Sequence, residues 1–221
     1  MSGAGMWQPS GMVTATDWHD WHRPYDDPGS PLAHRLRLVQ EHVDEWLDER
    51  PEPLLTVVSA CAGQGRDLLG VLARRQDASR VRATLIEYDP RNTALARAEA
   101  ERLGVAVVAK CADAGLPESY AGAVPADLVL FAGVFGNIGD ADVRRTVAAL
   151  PRLCAPSATV IWTRTRRAPD LTPSIRAWFA EAGFTETAFH APDDVLFSVG
   201  VHRLTAAPRP LGSGGRLFRF T

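Results

Sequence analysis

Residues 54–67 read LLTVVSACAGQGRD, and this stretch decides the fold. Its first seven residues are an almost unbroken apolar run, the pattern of a strand buried on both faces of a parallel sheet. The run breaks at CAGQGRD, where two glycines permit a tight turn, and LLGVLARR then resumes as a helix. Upstream, Ser30-Pro31 supplies an N-cap followed by proline at the first helical position, and Leu32, Leu36, Val39, Val43 and Trp46 recur at helical spacing up to Pro51. Downstream, a second strand is predicted at 81–87, then a helix capped by Asp89-Pro90 with Ala94, Leu95, Ala98 and Leu103 as its inner face. Strands follow at 105–109, 127–131 and 158–163, with a helix at about 140–153 before the last of them. Strand and helix in alternation make right-handed βαβ units and a doubly wound α/β sheet. A helix at 172–182 and two strands joined by the turn-like APDDV complete seven strands, the last pair antiparallel at the far edge.

The chain of 221 residues has 46% hydrophobic and 23% charged content, a net charge of −2 and a pI near 6.3. That composition describes a globular domain without the basic field that nucleic acid or an anionic membrane rewards, so neither is an expected partner. Cys61, Cys111 and Cys154 are widely spaced, with no CxxC pair, which predicts free thiols in a cytoplasmic, reducing setting. No basic segment followed by an apolar one opens the sequence, and no run approaches the ~18 apolar residues of a membrane span. Three regions are expected: an N-terminal lid segment and helix at 1–50, a ligand-binding domain at 51–204, and a tail at 205–221 packed on the same domain. Composition leaves monomer and homodimer equally open.

Ligands of doubly wound sheets bind outside the carboxyl ends of the strands, so the residues after each strand are the candidates. After the first come Ala60, Cys61, Ala62, Gly63 and Gly65. After the second stand Glu87, 22 residues beyond Gly65 and suited to both hydroxyls of a ribose, and Tyr88. Asp113, with Ala114, follows the third and is placed to accept from an exocyclic amine. Gly133, Phe135 and Asn137 follow the fourth, where small residues let a second substrate approach. A dinucleotide fits less well, because GxGxxG would need Gly or Ala where Leu68 stands.

VVSACAGQGRDLLGVL, with LIEYDPRN, KCADAG and DLVLFAGVFGNI, resembles the class I S-adenosylmethionine (SAM)-dependent methyltransferases over about residues 54–203. The resemblance implies a Rossmann-like seven-stranded fold and SAM as cofactor, released as S-adenosylhomocysteine (SAH). It implies that the glycine turn approaches the methionine moiety, that Glu87 holds the ribose, that Tyr88 flanks the adenine, and that Asp113 with Ala114 reads the adenine edge. This chain has Ser59 where the family usually has an acid and Cys61 where it has its first glycine. The methionine amino group is therefore assigned to backbone carbonyls around Ala60 to Gly63.

Specificity is expected from the segment DWHDWHRPY at 17–25, read as a lid over the strand ends. Tyr25 would pack on the cofactor, Trp18 and Trp21 on the substrate, and His19 or His22 would serve as general base for a hydroxyl acceptor. An amine or carboxylate acceptor would need no base. Asn137 would orient the acceptor, and Arg164, beside Arg166 and Arg167, would meet an acidic one. The spacing of His19 and His22 matches no standard metal site. Methyl transfer to a small molecule is the leading expectation, since no extra domain or DPPY-type motif for a macromolecule is present. Cyclisation or elimination at the sulfonium and non-catalytic adenosyl binding are the alternatives.

Overall fold

In a computed structural model describing residues 24–212 and 215–220, the expected alternation becomes one sheet flanked by helices on both faces. The strands are β1 (Leu55–Ala60), β2 (Val81–Glu87), β3 (Val107–Cys111), β4 (Ala126–Phe131), β5 (Cys154–Thr165), β6 (Phe184–His190) and β7 (Phe197–Leu204). The helices are α1 (Pro31–Glu49), α2 (Arg66–Leu72), α3 (Pro90–Leu103), α4 (Asp140–Ala149) and α5 (Thr172–Glu181). The sheet order is β3-β2-β1-β4-β5-β7-β6. All pairings are parallel except that β7 runs antiparallel between β5 and β6. The chain steps outward from β1 to β3 and then crosses back to β4, which opens a crevice between the ends of β1 and β4.

One core layer buries Val39, Val43 and Trp46 of α1 with the inward residues of α2 and α3 against the sheet. The other joins α4, α5 and the C-terminal residues Leu217 and Phe218 around Trp162, Phe131 and Phe135. Ser30 caps α1 by accepting from the Ala33 amide at 3.0 Å, and Asp89 caps α3 by accepting from the Arg91 amide at 2.8 Å.

Two sequence expectations need correction. The inner face of α3 is Asn92, Thr93, Ala96 and Ala100, while Leu95 is exposed. The polar pair turns inward with most of its groups bonded: Thr93 Oγ1 donates to the Asp89 carbonyl at 3.0 Å and Asn92 Oδ1 accepts from Gln64 at 3.5 Å, while Asn92 Nδ2 has no partner among the described residues. The third strand starts two residues later than 105–109, because the Val105 amide is still tied to the Ala100 carbonyl beyond the helix. Among the described residues no helix is long and apolar enough to cross a membrane.

Candidate functional site

The turn after β1 is held in an unusual backbone state. Cys61, Gly63 and Gly65 have φ of 52°, 56° and 75°, so the cysteine that replaces a glycine nevertheless takes the left-handed conformation. At Gly65 a side chain is excluded by packing as well, since a Cβ would lie 2.7 Å from Leu85 and 2.8 Å from Leu69. Glu87, at the end of β2, braces this turn. Its Oε2 accepts from the Gly63 amide and its Oε1 from the Asp89 amide, each at 2.8 Å. Burial raises the Glu87 pKa, and the backbone amides of Asp89, Gly63 and Tyr88 work against that rise.

Asp113, after β3, accepts from the Gly115 amide through Oδ1 at 2.8 Å and from Arg216 Nη1 through Oδ2 at 2.6 Å. After β4, Gly133 has φ 77°, and its amide donates to Thr163 Oγ1 at 2.8 Å. These ends open on one cavity of about 280 Å³, lined by Cys61, Ala62, Glu87, Tyr88, Asp113, Ala114, Ala132 and Gly133, together with Tyr25 and Asp67. Tyr88 is 72% exposed, so its ring is available to a ligand. Burial pushes the Cys61 thiol well up, with the fields of Glu87 and Asp113 adding to it, so this sulfur is a neutral wall and not a thiolate.

Of the expected cofactor residues, Tyr25, Cys61, Ala62, Glu87, Tyr88, Asp113, Ala114 and Gly133 line the cavity. Ala60, Gly63 and Gly65 shape the turn from behind it. Several substrate expectations are corrected. Phe135 is fully buried, its ring packed between Phe131 and Trp162 at centroid distances of 5.8 and 5.9 Å. Asn137 Nδ2 donates to the Gly133 carbonyl at 2.6 Å, which braces the loop. Arg164 is drawn into a strut: it donates to the Phe135 carbonyl and to Asp140, the latter at 3.1 Å. These two contacts hold the β4–α4 loop, and Arg164 is not among the residues that line the cavity. His19, His22, Trp18 and Trp21 lie outside the described residues.

The remaining wall comes from the C-terminal tail, through Arg216, Phe218, Arg219 and Phe220. Arg209 fastens the tail to the Pro151 carbonyl at 2.9 Å, the Leu217 amide donates to the Gly115 carbonyl at 2.8 Å, and the Arg219 amide donates to Asp142 at 2.8 Å. Phe220 bridges to Ile138. Of the N-terminal segment expected as a lid, Tyr25 lines the cavity and residues 17–23 lie outside the described residues, while residues 215–220 form a strap across one side. The stretch RLFRF at 216–220 mixes charged and apolar residues without a periodicity that marks it as a site. Asp67 is another cavity residue that the strand-end rule passes over, because it sits in the first turn of the helix after β1.

No protein-family model matches the chain, and no curated protein matches it in sequence. Solved structures match its fold. One is the magnesium protoporphyrin IX methyltransferase ChlM of Synechocystis with bound SAM, at TM-score 0.64 and 13% identity, covering 88% of this chain and 100% of that one. Another is the 1,6-didemethyltoxoflavin-N1-methyltransferase of Burkholderia thailandensis with bound 1,6-didemethyltoxoflavin and SAH, at TM-score 0.64 and 17% identity, covering 86% and 84%. A possible exported protein from Bordetella parapertussis matches at TM-score 0.64 and 20% identity, covering 85% and 79%. The chain has the Rossmann-like fold of the class I SAM-dependent methyltransferases.

Proposed function

We propose that the chain is a cytoplasmic SAM-dependent methyltransferase that methylates an oxygen or nitrogen of a small-molecule acceptor and releases SAH. The observation that carries this reading is the convergence of groups from four strand ends, including the Glu87 and Asp113 carboxylates, on one cavity at the crevice. When bound, SAM supplies a methyl carbon activated by a positively charged sulfur. The chain's residues fit such a group. Each carboxylate keeps lone pairs beyond its two present bonds, so Glu87 can accept from a ribose diol and Asp113 from an adenine amine. Tyr88 and Phe220 offer aromatic faces to a base.

In-line displacement gains most of its rate from position, so the task of the walls is to hold an acceptor behind the methyl and exclude water. The strap and Tyr25 supply that cover. An amine or carboxylate acceptor needs no further group, and a hydroxyl acceptor would take His19 or His22 as its base. The near-neutral charge supports a small acceptor over nucleic acid, and three free thiols support a reducing compartment. The test is incubation with SAM and a fractionated metabolite extract, followed by mass spectrometry. Accumulation of SAH with a methylated product is expected. Methylthioadenosine in its place would redirect the reading to cyclisation or elimination, and failure of SAH to bind in calorimetry would refute it.

A further inference from the structure

The cavity carries one carboxylate that no adenosine contact explains. Asp67 lines it from the first turn of α2, and among the described residues no hydrogen bond reaches its oxygens. Its surroundings set it apart from the other two acids. Glu87 and Asp113 act together on Cys61, whereas Asp67 acts on Tyr25, whose hydroxyl is bonded to Arg35. Asp67 also follows Gly65 by only two residues, so it flanks the glycine turn after β1, the part of the wall expected to approach a methionine moiety. Burial raises the Asp67 pKa to about 6, and the field of Arg35 offsets this only in part. A carboxylate in that position gains from a cation that brings hydrogen-bond donors with it.

Resting on the SAM reading above, we infer that Asp67 binds the α-ammonium group of the cofactor's methionine end. It fills the role left open by Ser59, which is buried at the end of β1 and does not line the cavity. Of the backbone carbonyls first assigned to that group, that of Ala62 already accepts from the Gly65 amide at 2.8 Å, which leaves it one lone pair, whereas Asp67 brings a full negative charge. The choice of ammonium over sulfonium follows from chemistry. Both are cations, but a sulfonium has no N–H or O–H, and only the ammonium can satisfy the lone pairs of a carboxylate that lacks protein donors.

Three probes separate the possibilities. SAM carries both cations, SAH keeps only the ammonium, and methylthioadenosine has neither. Calorimetry on the wild type and on Asp67→Asn should show a ten- to hundredfold loss for SAM and for SAH, as expected for a charged hydrogen bond. Methylthioadenosine should bind both proteins equally, which also reports that the variant is folded. A loss for SAM alone would assign Asp67 to the sulfonium and overturn the inference. An equal loss for all three would make Asp67 a support of the fold and overturn it as well, as would unchanged binding of SAH. If the wild type binds none of the three, the SAM reading itself fails, a result distinct from the others.

Discussion

Replacing Gly115 by alanine tests whether the C-terminal strap is part of the site. A methyl at this position would come closer than 3.0 Å to the Phe218 carbonyl oxygen and lie 2.9 Å from Arg216 Nη1. Two outcomes compete. Peeling the strap away would expose Leu217 and Phe218, which are 6% and 1% exposed, at about 1.5–3 kcal/mol for each side chain. Local overpacking typically costs about 1–3 kcal/mol. Adjustment is cheaper, so the strap should shift and stay attached. Its shift breaks the Arg216–Asp113 pair and moves Phe218 and Phe220 from the cavity wall. Folding stability should fall by about 1–3 kcal/mol in urea denaturation, and SAH affinity by about tenfold in calorimetry, the scale of one lost charged or aromatic contact. Hydrogen exchange at residues 215–220 should quicken while the strands stay protected. Unchanged SAH affinity with clear destabilisation would refute the reasoning, because the strap would then cover the core and not the ligand.

Further outcomes follow from the same geometry. Glu87→Gln leaves one of two amides without an acceptor, since the glutamine amide can offer oxygen to only one, and should cost about 1–3 kcal/mol of stability together with a large loss of SAH affinity; retention of both in melting and calorimetry would remove Glu87 from the site. Gly200→Ala drives a methyl into the buried Trp162 ring, within 2.6 Å of Nε1, and should lower the melting temperature by several degrees without changing the cavity. His202 is 1% exposed, with Nδ1 accepting from Trp162 Nε1 at 3.2 Å, and burial holds its pKa down at about 4. The unfolded chain, with a histidine near 6.5, binds the extra proton first, so stability is retained above about pH 6.5 and lost as pH falls to about 4. The loss is about 3 kcal/mol. A urea series over this range should show a flatter profile for His202→Gln, and identical slopes would contradict the assignment.

The alternation of strands and helices was legible because buried parallel strands leave short apolar runs between glycine and proline breaks, as at LLTVVSA and DLVLF. The cavity residues after β1, β2 and β3 were legible for a related reason: the crevice lies where strands end. What failed was inference about direction within an element. Leu95 looked like a core residue by periodicity, yet hydrogen-bonded Asn92 and Thr93 occupy the inner face of α3. Phe135 and Arg164 looked like substrate contacts, because chain position after a strand does not say whether a side chain faces the crevice or the core. The strap was illegible, since the Asp113–Arg216 contact joins residues 103 positions apart and no local pattern encodes it.

That separation has a consequence for how the protein is made. At roughly 5–20 residues per second, a ribosome that has just added Asp113 needs about 5–20 s to reach Arg216. Through that interval the nascent chain can pair β1, β2 and β3, but the cavity lacks the wall formed by residues 216–220. A ligand stabilises only the state that binds it, so metabolite levels draw the early domain toward its native state less strongly than the finished one. The full stabilisation by a bound cofactor is reached once residues 215–220 have emerged and settled across the finished sheet.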